Sequence, residues 1–110
     1  MRLYQQQFGK DFQLGFNLED YPFLTDKSYH NDICPSFYFK DADSYYILWV
    51  DYPTPSDRED ESYSRYTIVE AENSGDEQHL EIGVNQDSDF QIEFEKADEI
   101  KGYLNDIMYN

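Results

Sequence analysis

The sequence predicts an α+β fold: a mostly antiparallel sheet of five to seven strands, with a short C-terminal helix packed on one face. Two patterns carry that expectation. Between Phe37 and Phe94, apolar residues recur at every second position in short runs broken by Pro, Gly, Asn and Asp, which is the period of strands joined by turns. From Ala97 onward the period lengthens to three and four residues at Ile100, Leu104 and Ile107, the stripe of an amphipathic helix. A chain of 110 residues suits one domain spanning 1–110.

Taken in order, the N-terminal segment reads as a hairpin, Leu3–Phe8 and Phe12–Leu18 around Gly9-Lys10-Asp11, because Phe12, Leu14, Phe16 and Leu18 alternate with polar residues or glycine. Residues 19–35 read as irregular, interrupted by Pro22, Asp26, Asn31 and Pro35. Phe37-Tyr38-Phe39 and Tyr45–Tyr52 flank the loop Lys40–Ser44 and give the strongest strand signal. The second run is apolar on both faces until Asp51, as for a central strand covered on both sides. Pro53 and Pro55 end it, and a charged loop runs to Ser62. Tyr66–Glu72 resumes a strand, Asn73–Asp76 turns the chain, and Leu80-Ile82-Val84 and Phe90-Ile92-Phe94 give two more. The closing helix, Ala97–Met108, contains Gly102, which weakens it by about 1 kcal/mol relative to alanine, and so short a helix needs a sheet to lie on. A sandwich or half-open barrel, with the N-terminal hairpin covering the second face, is the alternative arrangement.

Composition bounds the function. Mean hydropathy is −0.87, but 18% of the residues are aromatic and they fall in patterned runs, unlike a disordered chain. The formal net charge is −16, unevenly placed: residues 41–99 hold eighteen acids against Arg58, Arg65 and Lys96. Such a field repels a phosphate backbone and an anionic membrane, which sets aside direct nucleic-acid and membrane binding. It suits either a positively charged protein partner or simple solubility, including life in high salt. Cys34 is the single cysteine, so no intrachain disulfide forms and a reducing cytoplasm fits. The start, Met1–Gln7, is too polar for a secretory signal, and the apolar run Tyr45–Val50 is too short to span a bilayer. The expectation is a cytoplasmic monomer or small homo-oligomer.

Acids two apart recur at Asp41/Asp43, Asp57/Glu59/Glu61, Glu70/Glu72, Asp87/Asp89 and Glu93/Glu95. On a strand this spacing puts both carboxylates on one face about 7 Å apart, close to the separation of successive phosphates. A solvated sheet face has the same period without any partner. The densest cluster, Asp57–Glu61, lies beside Trp49, Tyr52, Tyr63 and Tyr66, and aromatic anchors within a charged rim are the usual makeup of a protein interface. The candidate partner-binding residues are therefore Asp51, Tyr52, Asp57, Glu59, Asp60, Glu61, Tyr63, Glu70 and Glu72, the acids to meet lysine or arginine and the rings to exclude water.

Catalysis finds little footing. His30 and His79 are the only histidines and neither sits in a nucleophile motif. His30, Asp32 and Cys34 alternate, yet one thiol and one imidazole in a polar loop are far more often structural than zinc ligands. Asp41/Asp43 and Asp87/Asp89 lack the glycine and distal glutamate of a calcium loop. Glu93–Lys96 has a nuclease-like acid-lysine grouping with no second matching set. No enzymatic activity, cofactor or metal is expected.

The aromatic strand Tyr45–Tyr52, the acidic run Asp57–Glu61 and the passage from strand Phe90–Glu95 into the helix Ala97–Met108 resemble, as a class, small acidic bacterial immunity proteins. These belong to contact-dependent inhibition and related polymorphic toxin systems. The resemblance implies a stoichiometric inhibitor of a basic toxin domain, often a nuclease, and carries over no individual residue roles. The same features also resemble phage or plasmid DNA mimics that block restriction, CRISPR or other DNA-binding proteins.

Overall fold

The strand-rich stretch after Pro35 organises the molecule. The computed structural model describes residues 1–109 and forms six strands among them: β1 (Thr25–Asp26), β2 (Ser36–Asp41), β3 (Ser44–Val50), β4 (Tyr66–Asn73), β5 (Ile82–Val84) and β6 (Gln91–Phe94). They make one antiparallel sheet in the order β1-β2-β3-β4, and the far edge of β4 is shared. There β6 pairs with Tyr66–Val69 and β5 with Ala71–Asn73. The expected α+β architecture is present, closed by α2 (Ala97–Tyr109).

Between β2 and β3, Asp41 pairs with Ser44, so only Ala42 and Asp43 remain in the turn. It is tighter than the five-residue loop expected, and it places Ala42 at φ 56°, a conformation that strains a residue with a Cβ.

Register decides the two faces. Phe37, Leu48, Ile68 and Ile92 lie side by side across four strands, with Val50, Tyr66 and Phe94 in the next row. Helix α2 covers this face with Ile100 and Leu104, both fully buried. Its first turn carries Asp98 and Glu99, acids that suit the positive end of the helix dipole, and Glu99 Oε1 accepts from the Lys96 amide at 3.0 Å. Tyr38, Ile47 and Val69, and beside them Trp49 and Thr67, form the opposite face.

The N-terminal segment departs from the expected hairpin. Its first arm is a helix, α1 (Leu3–Phe8), ended by Gly9 at φ 112°. Tyr4 and Phe8, four residues apart, both reach Phe12, with ring centroids at 6.4 and 6.3 Å. That is helical spacing, and it outcompetes the weak alternation of a polar arm. The second arm bends at Gly15, runs into a 3-10 turn at Leu18–Asp20 and pairs with no strand among the described residues. Its alternation buries Phe12 and Leu14 on the sheet instead. The Tyr66 hydroxyl donates to the Leu14 carbonyl at 2.6 Å. Gly15, at φ 86°, makes this possible, since a Cβ there would fall on that hydroxyl.

This segment joins the same apolar cluster as α2. The sandwich alternative is thereby corrected, while β3 is buried from both sides at its centre, Leu48 on this face and Ile47 on the other being 0% exposed. The second face has no helix or N-terminal layer over it among the described residues. Leu80 also departs from expectation. The strand begins only at Ile82, and Leu80 is exposed because the Asn73 side chain closes a wider turn, accepting from the Gly75 and Glu81 amides. No helix among the described residues is long and apolar enough to cross a membrane.

Candidate partner-binding surface

The acidic loop is ordered from beneath by its one cation. After β3 the chain passes Pro53 into a 3-10 turn at Pro55–Asp57. Arg58 then folds inward, its side chain 1% exposed. Its guanidinium donates to the carbonyls of Tyr52 (2.8 Å), Tyr63 (2.6 Å) and Pro53 (3.3 Å). It also forks onto Glu95, at 2.9 and 2.7 Å. Entry and exit of the loop are thus tied to the end of β6. A planar fork with several donors is suited to this, where a lysine would satisfy fewer acceptors. The pair holds the Glu95 carboxyl below its ordinary range and raises Arg58.

With Arg58 turned in, Asp57, Glu59, Asp60, Glu61 and Tyr63 face solvent. Asp60 is partly engaged: Oδ1 accepts from the Ser62 hydroxyl at 2.7 Å and its amide at 2.8 Å, which lowers the Asp60 pKa. The loop is therefore a structured display of carboxylates.

Beside it, on the uncovered sheet face, lies a cavity of about 420 Å³. Trp49, Thr67 and Glu93, adjacent in register, line it together with Asp51, Tyr63 and the segment Asn31–Cys34. Asp51 belongs here because it continues the alternation of Ile47 and Trp49. It is 4% exposed, and loss of water around it raises its pKa, against the opposing hydrogen bond from the Tyr52 amide. Burial, helped by Asp51 and Asp32, likewise pushes the Cys34 thiol up.

The remaining expected residues go elsewhere. Tyr52 turns into the core, its ring 4.9 Å from that of Phe12, so it is no surface anchor: the step from Asp51 to Tyr52 reverses the face. Glu70 and Glu72 share the side of β4 that carries Tyr66 and Ile68, as the pairing of Glu70 with Tyr46 shows. They sit toward the opposite end of the strand from the acidic loop, roughly 13–20 Å along at strand rise. The acids of residues 41–99 thus do not form one continuous sheet face. Of the five acidic sets, Asp41/Asp43 straddles a turn and Asp57–Glu61 and Asp87/Asp89 lie in loops. Glu70/Glu72 and Glu93/Glu95 follow strand alternation on opposite sides of the sheet, so no rail at phosphate spacing is built.

Sequence reasoning passed over Arg58 and Glu95 as a pair, and Trp49 and Glu93 as site residues. The i, i+2 spacing of Trp49 and Asp51 was the available signal. Arg58 was legible only as a lone base among four acids.

Among the described residues no three His, Cys, Asp or Glu side chains gather to hold a metal ion. His30 is exposed and meets the Gln7 side chain at 2.9 Å, away from the buried Cys34. His79 lies against Asp76 at 3.5 Å in an exposed turn. No family model matches the chain, nor does any curated protein or solved structure.

Proposed function

We propose that this chain is an immunity-type inhibitor that acts by binding, without catalysis, to a basic toxin domain, a nuclease being the best fit. The observation that carries the reading is the loop Asp57–Tyr63, whose carboxylates are held outward on a base made by buried Arg58 paired with the half-exposed Glu95. An unpinned acidic loop would lose chain entropy on binding; this one is already ordered. Glu59 and Glu61 supply attraction for lysine and arginine, and Tyr63 an aromatic contact at the edge of the cavity. The long-range field raises the association rate and fades with salt. The reading places the protein in the cytoplasm, where Cys34 stays reduced, bound to its partner one to one.

A tagged copy is expected to retain a basic protein at low salt and release it at high salt, and to inhibit that protein's nuclease activity at one equivalent. Calorimetry on the isolated pair decides which surface is responsible. The double reversal Glu59→Lys with Glu61→Lys is expected to weaken binding at least tenfold, and unchanged affinity removes the loop from the account. Inhibition of several unrelated nucleases would instead favour a DNA mimic, whose regular row of carboxylates the strands do not supply.

A further inference from the structure

We propose that the cavity on the uncovered sheet face receives a single arginine side chain of the protein partner, with Asp51 as its deep carboxylate, Trp49 and Tyr63 as aromatic sides and Glu93 at the rim. The proposal deepens the inhibitor reading and rests on it for the partner's basic character. The chemistry of the pocket stands on its own geometry.

Asp51 turns this acidic hollow into a site. A carboxylate has about four acceptor positions, yet among the described residues this one, 4% exposed, accepts a single hydrogen bond, from the Tyr52 amide at 2.8 Å. Arg58 acts on it by charge alone, because its hydrogen-bond donors go to Tyr52, Pro53, Tyr63 and Glu95. A buried carboxylate with so few donors is costly to keep, and a guanidinium entering the cavity would bring paired donors and a second positive charge.

The surroundings favour a cation. Asp32, Asp51 and Glu93 line the cavity against one base, Arg65. The Arg65 guanidinium donates through Nη2 to the Gln13 carbonyl at 2.9 Å and lies 5.2 Å over the Tyr66 ring, its buried Nε having no partner among the described residues. The open-face rings already attract cations within this chain: Lys27 Nζ lies 5.8 Å from the Trp49 centroid and Lys40 Nζ 5.5 Å from that of Tyr45. A planar guanidinium can stack on Trp49 while forking to a carboxylate, which an ammonium cannot do. That geometry selects arginine over lysine.

Trp49 is the only tryptophan in the chain, so its fluorescence reports on the cavity directly. The full chain would be titrated with N-acetyl-arginine amide, and in parallel with the lysine and citrulline amides. A saturable change with arginine is expected, at least fivefold weaker with lysine and absent with uncharged citrulline. Asp51→Asn is expected to weaken the arginine response at least tenfold and Glu93→Gln several-fold. Thermal melts check that each variant folds, and the exposed Glu93 position carries the test should Asp51→Asn not fold. An equal response to citrulline or lysine, no saturable response, or wild-type binding by the folded pocket variants overturns the proposal. Failure of the inhibitor reading would appear instead as loss of partner capture with this titration intact.

Discussion

Leu48 and Ile47 are neighbours in the central strand and both are 0% exposed, but they are buried by different means. Leu48 lies under the layer made by α2 and the N-terminal segment, in one cluster with Phe37, Ile68, Ile100 and Leu104. Ile47 faces the other way, outside that cluster, screened by its in-sheet neighbours Tyr38 and Val69 and by the large rings nearby. The covered face is a core in the ordinary sense. The uncovered face is a floor of half-buried rings, a cavity and a desolvated acid. A single sheet thereby separates the residues that hold the fold from those available for recognition, and adjacent positions of one strand fall on either side of that division.

Alanine substitutions at these two positions test the division most severely. Leu48→Ala leaves an enclosed hole and is expected to cost about 4 kcal/mol, while Ile47→Ala opens its space to solvent and should cost about 2 kcal/mol. Urea unfolding measures both. Equal costs would mean the open face is packed as tightly as the covered one.

Next comes the link between the faces. Arg58→Ala leaves three loop carbonyls and the Glu95 carboxylate without their donor and is expected to cost about 2–3 kcal/mol at neutral pH. Glu95 has a lowered folded pKa through Arg58, so its contribution is present above the ordinary glutamate value and is lost as pH falls through the lowered one. The gap between parent and Arg58→Ala should therefore narrow in acid. A gap independent of pH would assign the cost to packing alone.

Asp51 has the opposite sign. Desolvation raises its folded pKa, so its charge opposes folding above that raised value, and the penalty disappears as pH falls to the ordinary aspartate range. Asp51→Asn keeps an acceptor for the Tyr52 amide and should raise stability at pH 7 by up to about 1 kcal/mol, with no gain near pH 3.5. Marked destabilisation at pH 7 would show that Asp51 is a structural group. The smallest effect is expected at the β2–β3 turn, where Ala42→Gly relieves a positive φ and should add about 0.5 kcal/mol, with no change in the Trp49 titration.

Much of this was legible beforehand. The strands β2, β3 and β4 and helix α2 followed from period alone, because apolar spacing reports which side of an element meets a core. The N-terminal hairpin did not survive, since the alternation of Phe12, Leu14 and Phe16 states only that one side is buried and says nothing of a hydrogen-bonded partner. For the site, the exposed acids Asp57, Glu59, Asp60 and Glu61 and the ring of Tyr63 were readable as a charged loop with an aromatic anchor. The inward turn of Tyr52 and the distance to Glu70 and Glu72 were not, because both depend on which strand ends lie together.

By itself the order of residues determined the class of fold, the acidity, the single-tryptophan strand and the amphipathic end, each a local property of short segments. Which face of the sheet would be covered, and that Arg58 would reach Glu95 across 37 residues, were decided only when distant segments met. The physical reason is that period two marks two faces without ranking them. The ranking comes from where the N-terminal segment and α2 bury their rings, and both settle on the same side.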